Sequence, residues 1–502
     1  MMDDRTEGAA AARGEGHATA SGIGPAEGGV AATRSGASLW GGRQGLMLGL
    51  ISSGIGLHAF NQFAIVAAMP LAAAELGGRD WFSWVYSLYF IGSIAGGTTA
   101  ASLRDRLGVR LSLGLASVLF AAGGLVALFA PAFGFIIAGR LLQGIADGLI
   151  VAICYSLIPA NFPSALIARV FAVEATVWAV TALLGPLVGG LIAQGVSWRA
   201  SFLAVTPLIA ALALFTVLTR PKVNDGSAGQ GGAVNAGADA PAAAFPPRTI
   251  ALCVAAAFVL ALSSASSHAG WQAATLAAGV AILVIGIRLD GRFGVPLFPA
   301  GTFRRGSVLG RGFLILFLMS ASHSAGSTYL ALLVREVFGL GPAAVGYVVV
   351  TMAVTWSAVA MVASRINSLA RRHAVMRAGP LFQVSGFMAI ALAISLQWLP
   401  LVIAGQMLIG TGFGLAWANV NQAAMEAARK TERDRASALL PTMSTAGYAV
   451  GAALSGTIAT ASGLAASLGE GSAGDTATWL YGTAAIGALA SFFLGFGVRL
   501  RN

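Results

Sequence analysis

Apolar residues run in blocks of about twenty from residue 45 nearly to the end of the chain, and most charges fall between the blocks. About 20 apolar residues span a bilayer as a helix, whereas a membrane barrel shows strands of about ten residues that alternate in polarity. The pattern predicts an all-α polytopic membrane protein. Six spans fall near 45–72, 81–101, 111–130, 134–158, 170–195 and 200–219. Two more follow near 249–268 and 270–288, and six others near 311–332, 342–364, 376–397, 400–424, 436–463 and 477–498.

The segments between these blocks give the organisation. Residues 1–43 are rich in Gly and Ala and carry mixed charges without an apolar run and cleavage site, so they read as a disordered cytoplasmic tail. An N-terminal six-helix bundle (44–219) leads to a Gly-, Ala- and Pro-rich flexible linker over 220–248. Two additional transmembrane helices (249–288), a cytoplasmic connection (289–310) and a C-terminal six-helix bundle (311–499) complete the order six, two, six. Paired six-helix halves suggest a secondary transporter with a site near the bilayer midplane.

The composition agrees: 57% of residues are hydrophobic and 10% charged, and mean hydropathy is +0.80. A formal net charge of +11 raises the question of nucleic acid. With both termini cytoplasmic, however, every Lys and Arg except Arg79, Arg140, Arg199 and Arg335 falls on the inner side. The positive-inside rule therefore accounts for the charge, and no nucleic-acid partner is expected. Cys154 and Cys253 lie in apolar segments, and no His, Cys and carboxylate set has metal-ligand spacing. No cofactor is implied, because a phosphate-cradling loop with its Lys is missing and Lys222 and Lys430 are the only lysines. A membrane enzyme would need a convergent catalytic set that the sequence does not present.

Three charges lie inside apolar segments: Arg140, Asp147 and Glu174. A charge in hydrocarbon costs about 2.5–3.5 kcal/mol on insertion scales, so it usually faces a partner, a cavity or an ion path. Helical spacing puts Arg140, Gln143, Gly144 and Asp147 on one stripe. Arg140 and Asp147 are two turns apart, about 10 Å, so each needs another neighbour. Glu174 lies about three turns before Gly185, on the same face, and suits a helix interface or inner gate. The segment Gly185-Pro186-Leu187-Val188-Gly189-Gly190 combines a kink with close backbone approach. In the loop after the second span, Asp105, Arg106, Gly108 and Arg110 form a candidate charge latch at a tight turn.

Together these motifs resemble the major facilitator superfamily, in particular its fourteen-span drug:proton antiporter branch, over about residues 45–499. Asp105, Arg106, Gly108 and Arg110 match the loop signature; Arg140, Gln143 and Gly144 match the fourth-helix signature; Gly185, Pro186, Gly189 and Gly190 match the antiporter motif. Ser197-Trp198-Arg199, Phe202 and Pro207 resemble the segment opening the sixth helix, and Pro296-Leu297-Phe298 with Phe303-Arg304 also resembles this branch. The resemblance implies a major facilitator fold of two six-helix bundles with two helices between them. It assigns proton coupling to Arg140 and conformational bias to Gly185 and Pro186.

Two positions depart from the pattern: Asn61 stands where the first helix usually carries an acid, and Ala101 where the loop signature usually begins with Gly. Asp147 is the natural substitute. Burial favours a protonated carboxyl group and a nearby guanidinium favours the carboxylate, so alternation between such environments loads and releases a proton. Arg140, Asp147 and Glu174 are therefore the candidate coupling residues.

For the solute, the first span offers His58, Asn61 and Gln62. The ninth offers His323, with Ser320, Ser324 and Ser327, and the twelfth offers Gln406, Trp417 and Asn419. Neutral hydrogen-bonding groups with an aromatic suit a small amphipathic or aromatic organic solute. The leading expectation is proton-coupled export from a bacterial inner (plasma) membrane. Uptake of a nutrient or vitamin by the same fold, and a non-transporting sensor, are the alternatives. The sequence leaves the subunit number open.

Overall fold

The computed structural model describes residues 39–162, 164–219, 246–292, 296–366, 368–429, 432–464 and 473–498. Most of the expected tail and linker, residues 1–38 and 220–245, lies outside the described residues. Within them the chain is helical throughout, as a lipid environment requires when every backbone N–H must be satisfied inside its own segment.

The first helix, α1, runs Gly42–Glu75, so helix takes in the last two residues of the expected tail. Helix α2, Phe82–Leu128, is 47 residues long. At 1.5 Å per residue it would reach about 70 Å, more than twice the hydrocarbon thickness of about 30 Å. Gly108 breaks it with φ 77° and ψ 162°, which a side chain would resist, so 82–107 and 109–128 form two successive crossings. The expected loop over 102–110 shrinks to one non-helical glycine.

Helices α3 (Phe133–Asn161), α4 (Ser164–Gly195) and α5 (Thr206–Leu218), the last preceded by a short 3-10 turn at Arg199–Leu203, complete the first half. The added hairpin is α6 (Pro247–Ala261) and α7 (Ala269–Leu289). The second half comprises α8 (Val308–Ser327) continued by α9 (Leu330–Phe338), α10 (Pro342–Ala363), α11 (Leu369–Ser395), α12 (Leu399–Ala427), α13 (Arg433–Ala461) and α14 (Ala473–Gly495).

Twelve described helical segments are long and apolar enough to span a membrane. The 82–128 segment holds two crossings, and α13, richer in Ser, Thr and Gly, falls outside the twelve. With both included, the described residues make fourteen crossings.

Alternation of the crossings puts the turns after Glu75, Leu128, Gly195, Ala261, Phe338 and Ser395 at one end, called distal here, and the start of α1 and the end of α14 at the proximal end. Two seams join the halves, α4 on α10 and the 82–107 arm of α2 on α13, and α6 packs on both α2 and α13. At the distal end a methyl group added at Gly190 would sit 2.6 Å from the Ala343 Cα. Arg79 pairs with Glu336 at 3.1 Å, and Ser83 abuts Gly456.

Two polar anchors explain motif residues flanking the spans. Glu75, closing α1, accepts from Trp198 Nε1 at 2.7 Å and Arg199 Nη1 at 2.5 Å, while Arg199 also donates to the Ala130 carbonyl at 3.2 Å. This ties three distal chain ends together. Asp290, after α7, is buried and accepts from Thr249 Oγ1 at 2.8 Å, Leu297 N at 2.7 Å and Phe298 N at 2.9 Å. Asp290→Ala orphans two backbone donors, at about 1–3 kcal/mol each. Purified Asp290→Ala protein is expected to unfold several degrees below wild type; an unchanged transition would show that water replaces the carboxylate.

Candidate functional site

The site begins with the crossing of α3 on the distal arm of α2. Gly144 and Gly148 of α3 face the backbone of Tyr89 and Ser93, so any side chain there would collide with main chain. Small residues four apart let membrane helices approach this closely. The approach presses the Arg140 guanidinium onto the Tyr89 ring, 3.9 Å from its centroid. Arg140 is 1% exposed and donates from Nη1 to Gln143 Oε1 at 3.0 Å, leaving Nε unpartnered. Cation–π attraction and one hydrogen bond offset part of the cost of burying this charge.

Asp147, also 1% exposed, pairs with His58 of α1 rather than with Arg140. His58 Nδ1 lies 2.9 Å from Oδ1 and 2.8 Å from Oδ2. The contact holds in two protonation states: an Nδ1–H donates to the carboxylate, or a protonated carboxyl donates to a bare Nδ1. The Tyr89 hydroxyl lies beside Asn61 and Asp147 without meeting hydrogen-bond geometry, and both ends of the buried Asn61 amide are unpartnered. His58, Asn61, Tyr89, Arg140, Gln143 and Asp147 thus form one polar group that runs from the middle of α1 and α3 toward the distal end. Gln62, beside Asn61, is half-buried.

Glu174 stands apart from this group. It is 2% exposed and accepts from Ser52 Oγ at 2.8 Å, with Oε2 unpartnered, at the α1–α4 interface toward the proximal end. Further along α4, Gly185 and Gly189 meet the α1 backbone at Ala64, while Pro186 and Gly190 meet Gly346 and Ala343 of α10. The motif therefore lies between its own bundle and the other half. In the loop, Asp105 takes Arg104 as its partner at 2.9 Å, Arg106 is exposed, and Arg110 donates to the carbonyls of Thr216 and Val217.

In the second half, Gln406 donates to the Val349 carbonyl at 3.0 Å, joining α12 to α10. Asn419 accepts from Arg372 Nε at 2.9 Å nearer the proximal end. Both amides, expected beside the solute, are committed to helix contacts. His323 and Trp417 instead meet through Phe413, whose ring centroid is 5.6 Å from His323 and 5.4 Å from Trp417. A surface cleft of about 650 Å³ at the proximal ends of α8 and α12 carries arginines and glutamates but lies away from this interior. Among the described residues no three His, Cys, Asp or Glu side chains converge as a metal site.

The family model of the Major Facilitator Superfamily matches residues 51–452. The chain belongs to this superfamily. A Mycobacterium tuberculosis protein named as a probable multidrug-efflux transporter is 30% identical over 421 residues, covering 82% of this chain and 86% of that protein. The multidrug efflux pump LfrA of Mycolicibacterium smegmatis is 26% identical, covering 87% and 84%. Among solved structures, a peptide transporter bound to sulfate superposes with a TM-score of 0.64 at 16% identity, covering 92% of this chain and 97% of that one. A D-xylose–proton symporter superposes at 0.62 and 16%, covering 90% and 99%. These structures establish the fold. As a superfamily member the chain is a multi-pass membrane transporter of small solutes rather than an enzyme.

Sequence reasoning missed Tyr89, Ser52, Trp178 and Tyr448 as members of the transporter interior. Tyr89 and Tyr448 sit in membrane helices where a single aromatic has no distinctive pattern. Their neighbours come from other helices, so no spacing along one segment marks them.

Proposed function

We propose that this transporter exports small drug-like organic compounds across a bacterial inner membrane in exchange for protons, with both termini in the cytoplasm. Kinship with efflux proteins supports the direction. The observation that carries coupling is the His58–Asp147 pair, a part-buried contact between two ionisable side chains on the first and fourth crossings of the bundle. It occupies the interior where Asn61 replaces the usual first-helix acid.

In this orientation the distal contacts close the outer side, and solute enters from the cytoplasm. A proton reaching Asp147 from outside removes its charge and weakens its attraction to Arg140 and Tyr89, which changes what the polar group stabilises. The proton reaches the site only after the solute-loaded protein has opened the distal seams, which breaks Arg79–Glu336 and the Gly190–Ala343 contact. Loss of the proton to the cytoplasm resets the site.

Inverted membrane vesicles test this reading. With an acid interior, vesicles containing the protein are expected to accumulate ethidium, and a protonophore is expected to abolish accumulation. Gradient-independent accumulation, or movement of solute out of the vesicles with the protons, would exclude proton-coupled export.

A further inference from the structure

The two halves carry matching contacts. In the first, a side chain added at Gly123 would meet the Gly139 carbonyl at 2.6 Å and Gln143 Cγ at 2.9 Å; in the second, Gly386 stands in the same relation to the Gly405 carbonyl at 2.6 Å and Ile409 Cγ1 at 2.7 Å. Aligning Gly139 with Gly405 and Gln143 with Ile409 sets α3 on α12. Arg140 then falls opposite Gln406, and Asp147 opposite Phe413. The neighbours agree, since Gly144 and Gly148 meet the carbonyls of Tyr89 and Ser93 four residues apart on α2, and Gly410 and Gly414 meet those of Met352 and Trp356 four residues apart on α10.

The histidines also correspond. His58 and His323 stand at nearly the same depth in α1 and α8, the opening helices of the halves. His58 has Trp178 of α4 edge-on at 5.5 Å; His323 has Tyr448 of α13 edge-on at 6.1 Å. Each His is thus flanked by an aromatic from the matching helix. What differs is the third member: His58 hydrogen-bonds Asp147, whereas His323 meets the Phe413 ring and its Nδ1 is buried without a partner.

We infer that the second half's counterpart of the proton site is a binding subsite for an uncharged planar aromatic group, with His323 Nδ1 as its hydrogen-bonding contact. Replacing a carboxylate by Phe413 removes the proton carrier and extends an apolar wall, because Phe413 continues to Trp356 at 4.9 Å. On the other side Tyr448 stacks on Phe90 of the first half at 5.4 Å and 26°. A planar solute that competes for the Tyr448 face acts on a contact between the halves. Charge handling and ring recognition are then divided between the bundles. The subsite rests on the reading of this chain as an exporter of organic solutes.

The test uses the purified full-length protein, hydroxycoumarin kept neutral by mildly acidic buffer, and coumarin, with binding read from tryptophan fluorescence quenching. Wild type is expected to prefer hydroxycoumarin about tenfold, because its hydroxyl can donate to a bare Nδ1, whereas coumarin has only acceptors and leaves that nitrogen unpaired. His323→Phe keeps a ring of similar size and is expected to erase the preference while coumarin affinity stays within about twofold. Trp356→Tyr is expected to weaken both ligands and leave their ratio unchanged. Equal affinities in wild type, or a preference that survives His323→Phe, overturns the subsite. If the preference behaves as expected while proton-driven accumulation is absent from vesicles, coupled export fails and the subsite stands.

Discussion

Asp147→Asn is expected to abolish proton-driven accumulation in inverted vesicles while the protein still reaches the membrane and elutes as wild type does. The substitution isolates the proton from the packing. An asparagine has nearly the volume of aspartate, and its amide oxygen still accepts from His58 Nδ1–H. It cannot take up a proton or carry a charge, so the contact between α1 and α3 persists in one state. Accumulation should fall to that of vesicles lacking the protein, and Asp147→Glu should recover part of it if the longer arm reaches His58. Accumulation at the wild-type level in Asp147→Asn would remove Asp147 from the coupling site and return attention to Glu174.

Gly190→Val is expected to stop transport by a different route. Its first added carbon would lie 2.6 Å from the Ala343 Cα and 2.7 Å from its nitrogen, both backbone atoms that cannot rotate aside. Overpacking of this kind costs about 1–3 kcal/mol, which the fold can relieve by parting α4 from α10. Since 1.4 kcal/mol is a factor of about ten in an equilibrium, the closed distal arrangement should be depleted by about fivefold to somewhat over a hundredfold. Spin labels at Arg79→Cys and Glu336→Cys, with Cys154 and Cys253 replaced, should report a longer distance in Gly190→Val. A distance unchanged from the parent would show that the crossing absorbs the valine and that α4 is not a pivot.

Arg140 and Asp147 show how far one chain segment can be read. Their separation of two turns precludes direct pairing, and the structure gives them different partners, Gln143 with Tyr89 for one and His58 for the other. The need for partners was legible in α3 alone. Their identities were not, because His58 and Tyr89 belong to α1 and α2 and have ordinary places in those helices. Gln406 and Asn419 show the converse: polarity in a span suggested a cavity, but Val349 and Arg372 use those amides to join helices.

By itself the sequence determined that this protein crosses the membrane repeatedly as helices in two halves with a hairpin between them, because apolar length and the demand for internal backbone hydrogen bonds leave no other form. It also determined which side chains carry an unfavourable charge into the bilayer. Only the tertiary structure decided that His58 answers Asp147, that the 185–190 motif lies between the halves, and that Phe413 stands where the first half has its carboxylate. The physical reason is that periodicity specifies the face a residue shares within its own helix. The neighbour across that face is set by how closely two backbones approach, and here glycines on separate helices set that distance.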